Sequence, residues 1–119
     1  MQELKTHSDL IPTAYKEGDA LVLAIRGEID LHNSPELRTE LLDLLSRLTP
    51  RRLILDLARV PYIDSSTLAV FVEALKKVLK TGGRVFLVGL QPRVKGLLEI
   101  ARLSSIFVIC ADTQEALTK

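Results

Sequence analysis

Residues 53–68 read Leu-Ile-Leu-Asp-Leu-Ala-Arg-Val-Pro-Tyr-Ile-Asp-Ser-Ser-Thr-Leu, and they carry the clearest structural pattern in the chain. Leucine alternates with other residues from Leu53 to Ala58, which predicts a largely buried β-strand. After Asp64 the apolar residues recur at helical spacing, which predicts an amphipathic helix from about Ser65 to Lys80. The members of this stripe are Leu68, Phe71, Val72, Leu75, Val78 and Leu79. Asp64-Ser65-Ser66 therefore lies where a strand passes into a helix.

Length and composition limit the classes of protein to which the chain can belong. It has 119 residues, 47% of them hydrophobic, which suits one domain spanning residues 1–119. Its formal net charge is +1, so we expect no nucleic-acid partner, since such partners usually require a strongly basic surface. The apolar runs are far shorter than the ~20 residues of a membrane-spanning helix, so we expect no membrane insertion.

Cysteine usage and the opening residues indicate a compartment. Cys110 is the single cysteine, which leaves it without an internal disulfide partner, and its apolar neighbours predict a small core residue. The chain opens with Met1-Gln2-Glu3-Leu4-Lys5, which lacks the basic and apolar regions of a secretion signal. A reducing cytoplasm is therefore the expected location.

The rest of the chain predicts a β-hairpin followed by alternating strands and helices. Gly18 and Asp19 favour a turn between the two apolar runs of the hairpin. Ser34 followed by proline is typical of an N-cap, and Gly82 is typical of a helix end. Parallel pairing of the later strands then gives an α/β fold, a mixed β-sheet opened by a hairpin with helices packed on it.

The boundaries of these elements follow from the same patterns. Beside the strand and helix described first, the predicted strands are 10–15, 20–25, 84–88 and 106–109. The predicted helices run from 34 to before Pro50, from 91 onward, and over 113–117. The expected buried stripes are Leu37, Leu41, Leu44, Leu45 and Leu48 in the first helix, and Val94, Leu97, Leu98 and Ala101 in the third.

Residue types alone leave three interpretations of Asp64-Ser65-Ser66. The simplest is a helix cap, because Asp and Ser oxygens accept the free amide hydrogens of a first helical turn. The second is that Ser65 accepts a phosphate, which the amides and dipole of the helix N-terminus would stabilise. Such a phosphate would block a partner without unfolding the domain. The third is that Ser65 is a catalytic nucleophile.

The nucleophile interpretation lacks supporting residues. Serine hydrolysis needs a base and a residue that orients it, and the histidines of the chain are His7 and His32. No Gly-x-Ser-x-Gly sequence surrounds Ser65. The chain also lacks a metal-ligand cluster and a phosphate-binding glycine loop, so neither a metal nor a cofactor is expected. We therefore expect no catalytic residue and no enzymatic activity.

Two short elements together resemble a known family. Gly27-Glu28-Ile29-Asp30 follows the second strand, and Ile63-Asp64-Ser65-Ser66 opens the second helix. In this order and at this spacing they resemble the STAS domain of bacterial anti-sigma-factor antagonists. The resemblance extends from about Ala20 to Leu117 and implies the STAS fold.

The resemblance also implies a phosphorylation-controlled partner switch. In that family the unmodified domain binds an anti-sigma factor that is also a serine kinase, and the sigma factor is released. The kinase phosphorylates the first serine of the motif, here Ser65, and a serine phosphatase reverses the modification. The partner-binding residues that the resemblance implies are Asp30, Asp64, Ser65, Ser66 and Thr67.

The chain departs from the family pattern beside the implied acceptor. Thr67 and Ala69 stand where the family commonly has glycine. The branched Thr67 side chain could narrow the access of a kinase to Ser65 or become the modified residue itself. STAS domains of transporters and stress-sensing complexes also vary here, so the alternative function is an accessory subunit of a transporter or a signalling scaffold.

Overall fold

Six strands form one mixed sheet whose spatial order follows the chain order. The computed structural model describes residues 1–119, and its strands are β1 (Gln2–Glu3), β2 (Thr13–Glu17), β3 (Ala20–Arg26), β4 (Arg52–Arg59), β5 (Arg84–Val88) and β6 (Val108–Cys110). Its helices are α1 (Ser34–Leu48), α2 (Ser65–Lys80), α3 (Pro92–Ile100) and α4 (Thr113–Leu117). No helix combines the length and apolar character needed to cross a membrane.

The pairing of the strands divides the sheet into two parts. Antiparallel pairing joins β1 to β2 and β2 to β3. Parallel pairing joins β3 to β4, β4 to β5 and β5 to β6. The predicted α/β architecture, a mixed sheet opened by a hairpin with helices packed on it, is confirmed.

Most of the core lies on one face of the sheet. Leu53, Leu55 and Leu57 of β4 belong to the larger buried cluster, which also contains the inward residues of α1, α2 and α3. Ile54 belongs to a smaller cluster on the opposite face, which α4 covers. Burial on both faces explains why β4 is almost continuously apolar. Cys110 is 4% exposed in the smaller cluster, which confirms its predicted place in the core.

The clearest differences from the predicted strands are at the start of β2, at the start of β6 and in the additional strand β1. β2 begins at Thr13 rather than at residue 10, because Pro12 has no amide hydrogen to offer a neighbouring strand. β6 begins at Val108, since Ile106 lies in a turn where its amide donates to the carbonyl of Leu103. The sequence did not predict β1, because its two exposed residues carry no apolar pattern. The order of the remaining elements is unaffected.

The start of α1 also differs from the prediction. Asn33 occupies the N-cap position, and Ser34 is the first helical residue. Ser34 is 3% exposed, and its hydroxyl donates to Ser66 Oγ at 3.0 Å. This contact holds Ser34 between α1 and α2, so the predicted role of Ser34 as the cap is wrong.

The buried face of α2 is shifted relative to the predicted stripe. Thr67, Val70 and Ala74 are buried in addition to most of the stripe. With about 3.6 residues per turn, these three side chains move the centre of the buried arc away from Val72 and Leu79. Val72 is therefore only half-buried. Leu79 is 55% exposed, which contradicts its predicted burial.

Residues near the ends of α1 and α3 are also less buried than predicted. Leu48, in the last turn of α1, is half-buried, as is Leu97 in α3. Ala101 is exposed just after α3, so its predicted burial is wrong, because the helix ends at the preceding residue. Gly82 has a φ of +79° just after the C-cap of α2, which confirms the predicted end of that helix.

We predict that two leucines one turn apart on α2 contribute very differently to stability. Leu75 is 5% exposed, so Leu75→Ala should lower the free energy of unfolding by about 2 to 5 kcal/mol. Leu79 is 55% exposed, so Leu79→Ala should change it by less than about 0.5 kcal/mol. Urea denaturation of both variants measures these values, and equal losses would contradict the burial described above.

Candidate functional site

The two sequence elements of the resemblance meet at one end of the sheet. Residues 27–30 follow β3 and the loop ending at Asp64 follows β4, and these strands are parallel neighbours. Ile29 forms an isolated parallel bridge with Ile63. The amide of Ile29 donates to the carbonyl of Tyr62 at 3.1 Å, and the amide of Asp64 donates to the carbonyl of Ile29 at 3.3 Å. The tertiary structure thus brings the two elements into backbone contact.

The carboxylate of Asp64 is the hydrogen-bonding centre of this region. Asp64 is the N-cap of α2, and its Oδ1 accepts the amide hydrogens of Ser66 at 3.0 Å and Thr67 at 3.3 Å. The same oxygen accepts the Ser66 hydroxyl at 2.5 Å. Oδ2 accepts the amide hydrogen of Leu31 at 3.1 Å, from the loop before α1. One carboxylate therefore caps α2 and holds the neighbouring loop.

These donors favour the charged form of Asp64. The hydrogen bond from the Ser66 hydroxyl has the largest effect and lowers the pKa of Asp64 below its ordinary value. Desolvation opposes this shift, and the amides of Thr67, Ser66 and Leu31 lower the pKa further. The dipole at the helix N-terminus also favours a negative charge. The cap interpretation is thus confirmed for Asp64, and a fixed negative charge lies beside Ser65.

Ser65 is the exposed member of the serine pair. It is the first residue of α2, its side chain is in solvent, and its hydroxyl makes no hydrogen bond within the protein. It also lies at a shallow groove along α2, whose apolar members are Leu68, Ala69, Val72 and Leu103. The hydroxyl of Ser65 is therefore accessible to another protein.

Ser66 and Thr67, by contrast, use their hydroxyls inside the structure. Ser66 is half-buried, and its Oγ accepts a hydrogen bond from Ser34 at 3.0 Å as well as donating to the cap carboxylate. Thr67 is 0% exposed, and its Oγ1 donates to the carbonyl of Ile29 at 2.9 Å. This burial contradicts the expectations that Thr67 narrows access to Ser65, receives the phosphate or touches a partner. Thr67 instead ties α2 to the loop before α1.

The loop before α1 is held by its own hydrogen bonds. Asp30 Oδ1 accepts the amide hydrogen of His32 at 2.9 Å, and Asn33 Oδ1 accepts that of Asp30 at 2.8 Å. Asn33 Nδ2 donates to the carbonyl of Glu28 at 3.0 Å. The Asp30 side chain is 44% exposed, so its carboxylate is available at the surface of the loop.

Two residues of this loop were not singled out by the sequence. Asn33 is the N-cap of α1 and braces the loop, and an asparagine just before Ser-Pro at a helix start was the signal for it. Leu31 is 72% exposed, and no periodic pattern marks it. Both lie on the loop that Asp64 holds.

The structure shows no hydrogen bond between Ser65 and either histidine. His32 is 95% exposed, and its Nδ1 lies 3.5 Å from Asp30 Oδ1. The backbone amide of His7 donates to Glu40 of α1 at 2.8 Å. No group of three or more side chains is arranged to hold a metal ion. The arrangement at Ser65 is therefore that of an exposed hydroxyl without a base bonded to it.

Comparisons with known proteins identify the family of the chain. The STAS domain family matches residues 12–116. The anti-sigma-B factor antagonist of Bacillus subtilis (strain 168) is 38% identical over 90 residues, which cover 76% of this chain and 81% of that protein.

Solved structures show the same fold. A crystal structure from Thermotoga maritima has a TM-score of 0.83 at 26% identity, covering 92% of this chain and 93% of that chain. The Bacillus cell fate determinant SpoIIAA in its phosphorylated form has a TM-score of 0.69 at 18% identity, covering 88% of this chain and 95% of that chain. From the family match and the identity to the Bacillus subtilis relative, the chain belongs to the STAS domain family of anti-sigma factor antagonists.

Proposed function

We propose that this chain is an anti-sigma factor antagonist that switches partners through phosphorylation of Ser65. The unmodified protein binds an anti-sigma factor that is also a serine kinase, and the sigma factor is released. The kinase phosphorylates Ser65, which ends the binding, and a serine phosphatase restores it. In this proposal residues 1–119 act as one domain in the bacterial cytoplasm, without enzymatic activity of their own.

The exposure of Ser65 is the observation that carries this proposal. Its hydroxyl is free in solvent, whereas those of Ser66 and Thr67 are engaged in internal hydrogen bonds. A kinase can reach a free hydroxyl without first breaking the structure around it. The Bacillus subtilis relative is an anti-sigma-B factor antagonist, which supports an anti-sigma factor as the class of partner. SpoIIAA, a protein of the same fold, has been solved in a phosphorylated form.

The fold can accommodate a phosphate on Ser65. An anion at an exposed helix N-terminus is stabilised by about 0.3 to 1 kcal/mol through the free amides and the helix dipole. Asp64 keeps its bonds to the amides of Ser66 and Thr67, so the cap is retained. The modification then adds up to about two negative charges to the surface without disturbing the core.

The charge of a phosphate on Ser65 also opposes formation of the complex with the partner. A partner that covers Ser65 must remove water from the phosphate, and Asp30 and Asp64 already make this surface negative. Among the implied partner-binding residues, Asp30 and Ser65 present their side chains to a partner in this proposal. Asp64 and Ser66 hold the start of α2 against the loop before α1 and against Ser34, and Thr67 holds the same loop from the interior.

We predict that the charge at residue 65 controls binding. Ser65→Ala should bind its anti-sigma factor kinase as tightly as the unmodified protein. Ser65→Asp should bind about tenfold to a hundredfold more weakly, which corresponds to a loss of about 1.4 to 2.8 kcal/mol in binding free energy. Isothermal titration calorimetry against each purified anti-sigma factor kinase of the source organism measures the dissociation constants.

A matched control comes from Ser46, an exposed serine on α1 beside the C-terminal end of α2. Ser46→Asp adds the same charge away from the site and should leave binding unchanged. The free energy of unfolding of Ser65→Asp should stay within about 1 kcal/mol of that of the wild type. Equal affinities of Ser65→Asp and Ser65→Ala would contradict the switch.

We also predict that, of the hydroxyls of Ser65, Ser66 and Thr67, the kinase modifies that of Ser65. Incubation with the kinase and ATP should phosphorylate the wild type and Ser66→Ala, and should leave Ser65→Ala unmodified, because only Ser65 is exposed with a free hydroxyl. Mass spectrometry of the tryptic peptides locates the phosphate, and circular dichroism confirms that each variant is folded. A phosphate on Ser66 or Thr67 of the wild type would count against this assignment.

The role of Asp64 as a cap predicts a pH-dependent contribution to stability. Asp64→Ala should lower the free energy of unfolding at pH 7 by about 0.5 to 2 kcal/mol, and Asp64→Asn by less, because asparagine can still cap. The pKa of Asp64 is lowered in the folded state, so its charged form stabilises above its ordinary pKa of 3.8 and this contribution is lost as the pH falls through the lowered value.

Urea denaturation at several pH values tests this prediction. The difference between the wild type and Asp64→Asn should be constant from pH 7 to about pH 5 and should shrink below about pH 4. A difference that stays the same down to about pH 2 would show that the charge of Asp64 does not contribute.

A further inference from the structure

Leu31 is an exposed leucine on the loop that Asp64 holds next to the start of α2. The large apolar side chains with substantial exposure are Met1, Leu31, Leu79, Ile100, Ile106 and Ile109. Single exposed apolar residues are common in soluble proteins and need no explanation by themselves. Leu31 differs from the others because its backbone amide donates to Asp64 Oδ2 at 3.1 Å, and Asp64 immediately precedes Ser65.

The loop that carries Leu31 is rigidly bonded on both sides of this residue. The carbonyl of Asp30 accepts the amides of Asn33 at 3.2 Å and Ser34 at 2.8 Å. The Asp30 carboxylate accepts the amide of His32 at 2.9 Å, and the Asn33 side chain accepts the amide of Asp30 at 2.8 Å. A side chain displayed on such a loop loses little backbone freedom when a partner binds it.

We propose that Leu31 is the apolar anchor by which the anti-sigma factor recognises this chain, entering an apolar pocket of that partner next to Ser65. This inference rests on the proposed function and adds to it a residue that sets affinity. Leu31 is 72% exposed, so most of its side chain remains to be buried in a complex. Removing that apolar surface from water favours association.

The hydrogen bonds of Asp64 explain why the anchor and the phosphate would compete. Oδ2 holds the backbone of Leu31, and Oδ1 holds the first turn of α2, where Ser65 lies. The two residues are therefore kept at a constant separation. A partner that takes Leu31 into a pocket also covers the Ser65 hydroxyl. A phosphate on Ser65 would therefore be desolvated when Leu31 binds.

The test compares two exposed leucines of the same chain. Leu31→Ala should weaken binding to the anti-sigma factor kinase at least about tenfold, which corresponds to about 1.4 kcal/mol. Leu79→Ala, near the other end of α2 from Ser65, should change the dissociation constant less than about twofold. Leu31→Met, which keeps an apolar side chain of similar size, should retain most of the affinity. Calorimetry with unphosphorylated protein gives all three constants.

Separate controls distinguish a folding defect, failure of the anchor and failure of the proposed function. Urea denaturation should show the same stability for Leu31→Ala and the wild type, because the side chain is mostly in solvent. If the wild type binds and Leu31→Ala binds equally well, or if Leu31→Met loses as much affinity as Leu31→Ala, the anchor is refuted while the proposed function stands. If neither the wild type nor Ser65→Ala binds any anti-sigma factor kinase of the source organism, both fail.

Discussion

The carboxylate of Asp64 joins two parts of the chain that lie 33 residues apart, the start of α2 and the loop before α1. Oδ1 accepts hydrogen bonds from the first turn of the helix, and Oδ2 accepts one from Leu31. The hydroxyl of Thr67 adds a second link through the carbonyl of Ile29. The common surface that contains Asp30, Leu31 and Ser65 depends on these bonds, because they set the loop against the helix.

The same helix start shows how three consecutive hydroxyls acquire different roles. Successive side chains on a helix point in directions about 100° apart, so neighbours in sequence cannot all face the same surroundings. Ser65 faces solvent, Ser66 faces the cap carboxylate and Ser34, and Thr67 faces the interior. An accessible hydroxyl is thereby placed on a helix turn that its own neighbours hold in position.

Much of the fold could be predicted because its signals are local. The alternation from Leu53 to Ala58 and the helical spacing after Asp64 follow directly from burial of one or two faces of an element. The cap at Ser34 and the burial of Leu79 were predicted wrongly for a different reason. Ser34 bonds to α2, and Leu79 lies at the edge of a buried arc whose centre depends on neighbouring elements.

The strand-to-helix junction at Asp64 is evident from local patterns in the sequence. The family resemblance comes from two short elements at a fixed spacing, residues 27–30 and 63–66, and it implies Ser65 as the candidate acceptor. The tertiary structure is needed to show that Ser65 is exposed while Thr67 is buried, and that Leu31 lies on the loop that Asp64 holds. These features arise from the parallel pairing of β3 with β4, which places both following loops at the same end of the sheet, where hydrogen bonds between residues distant in sequence can form.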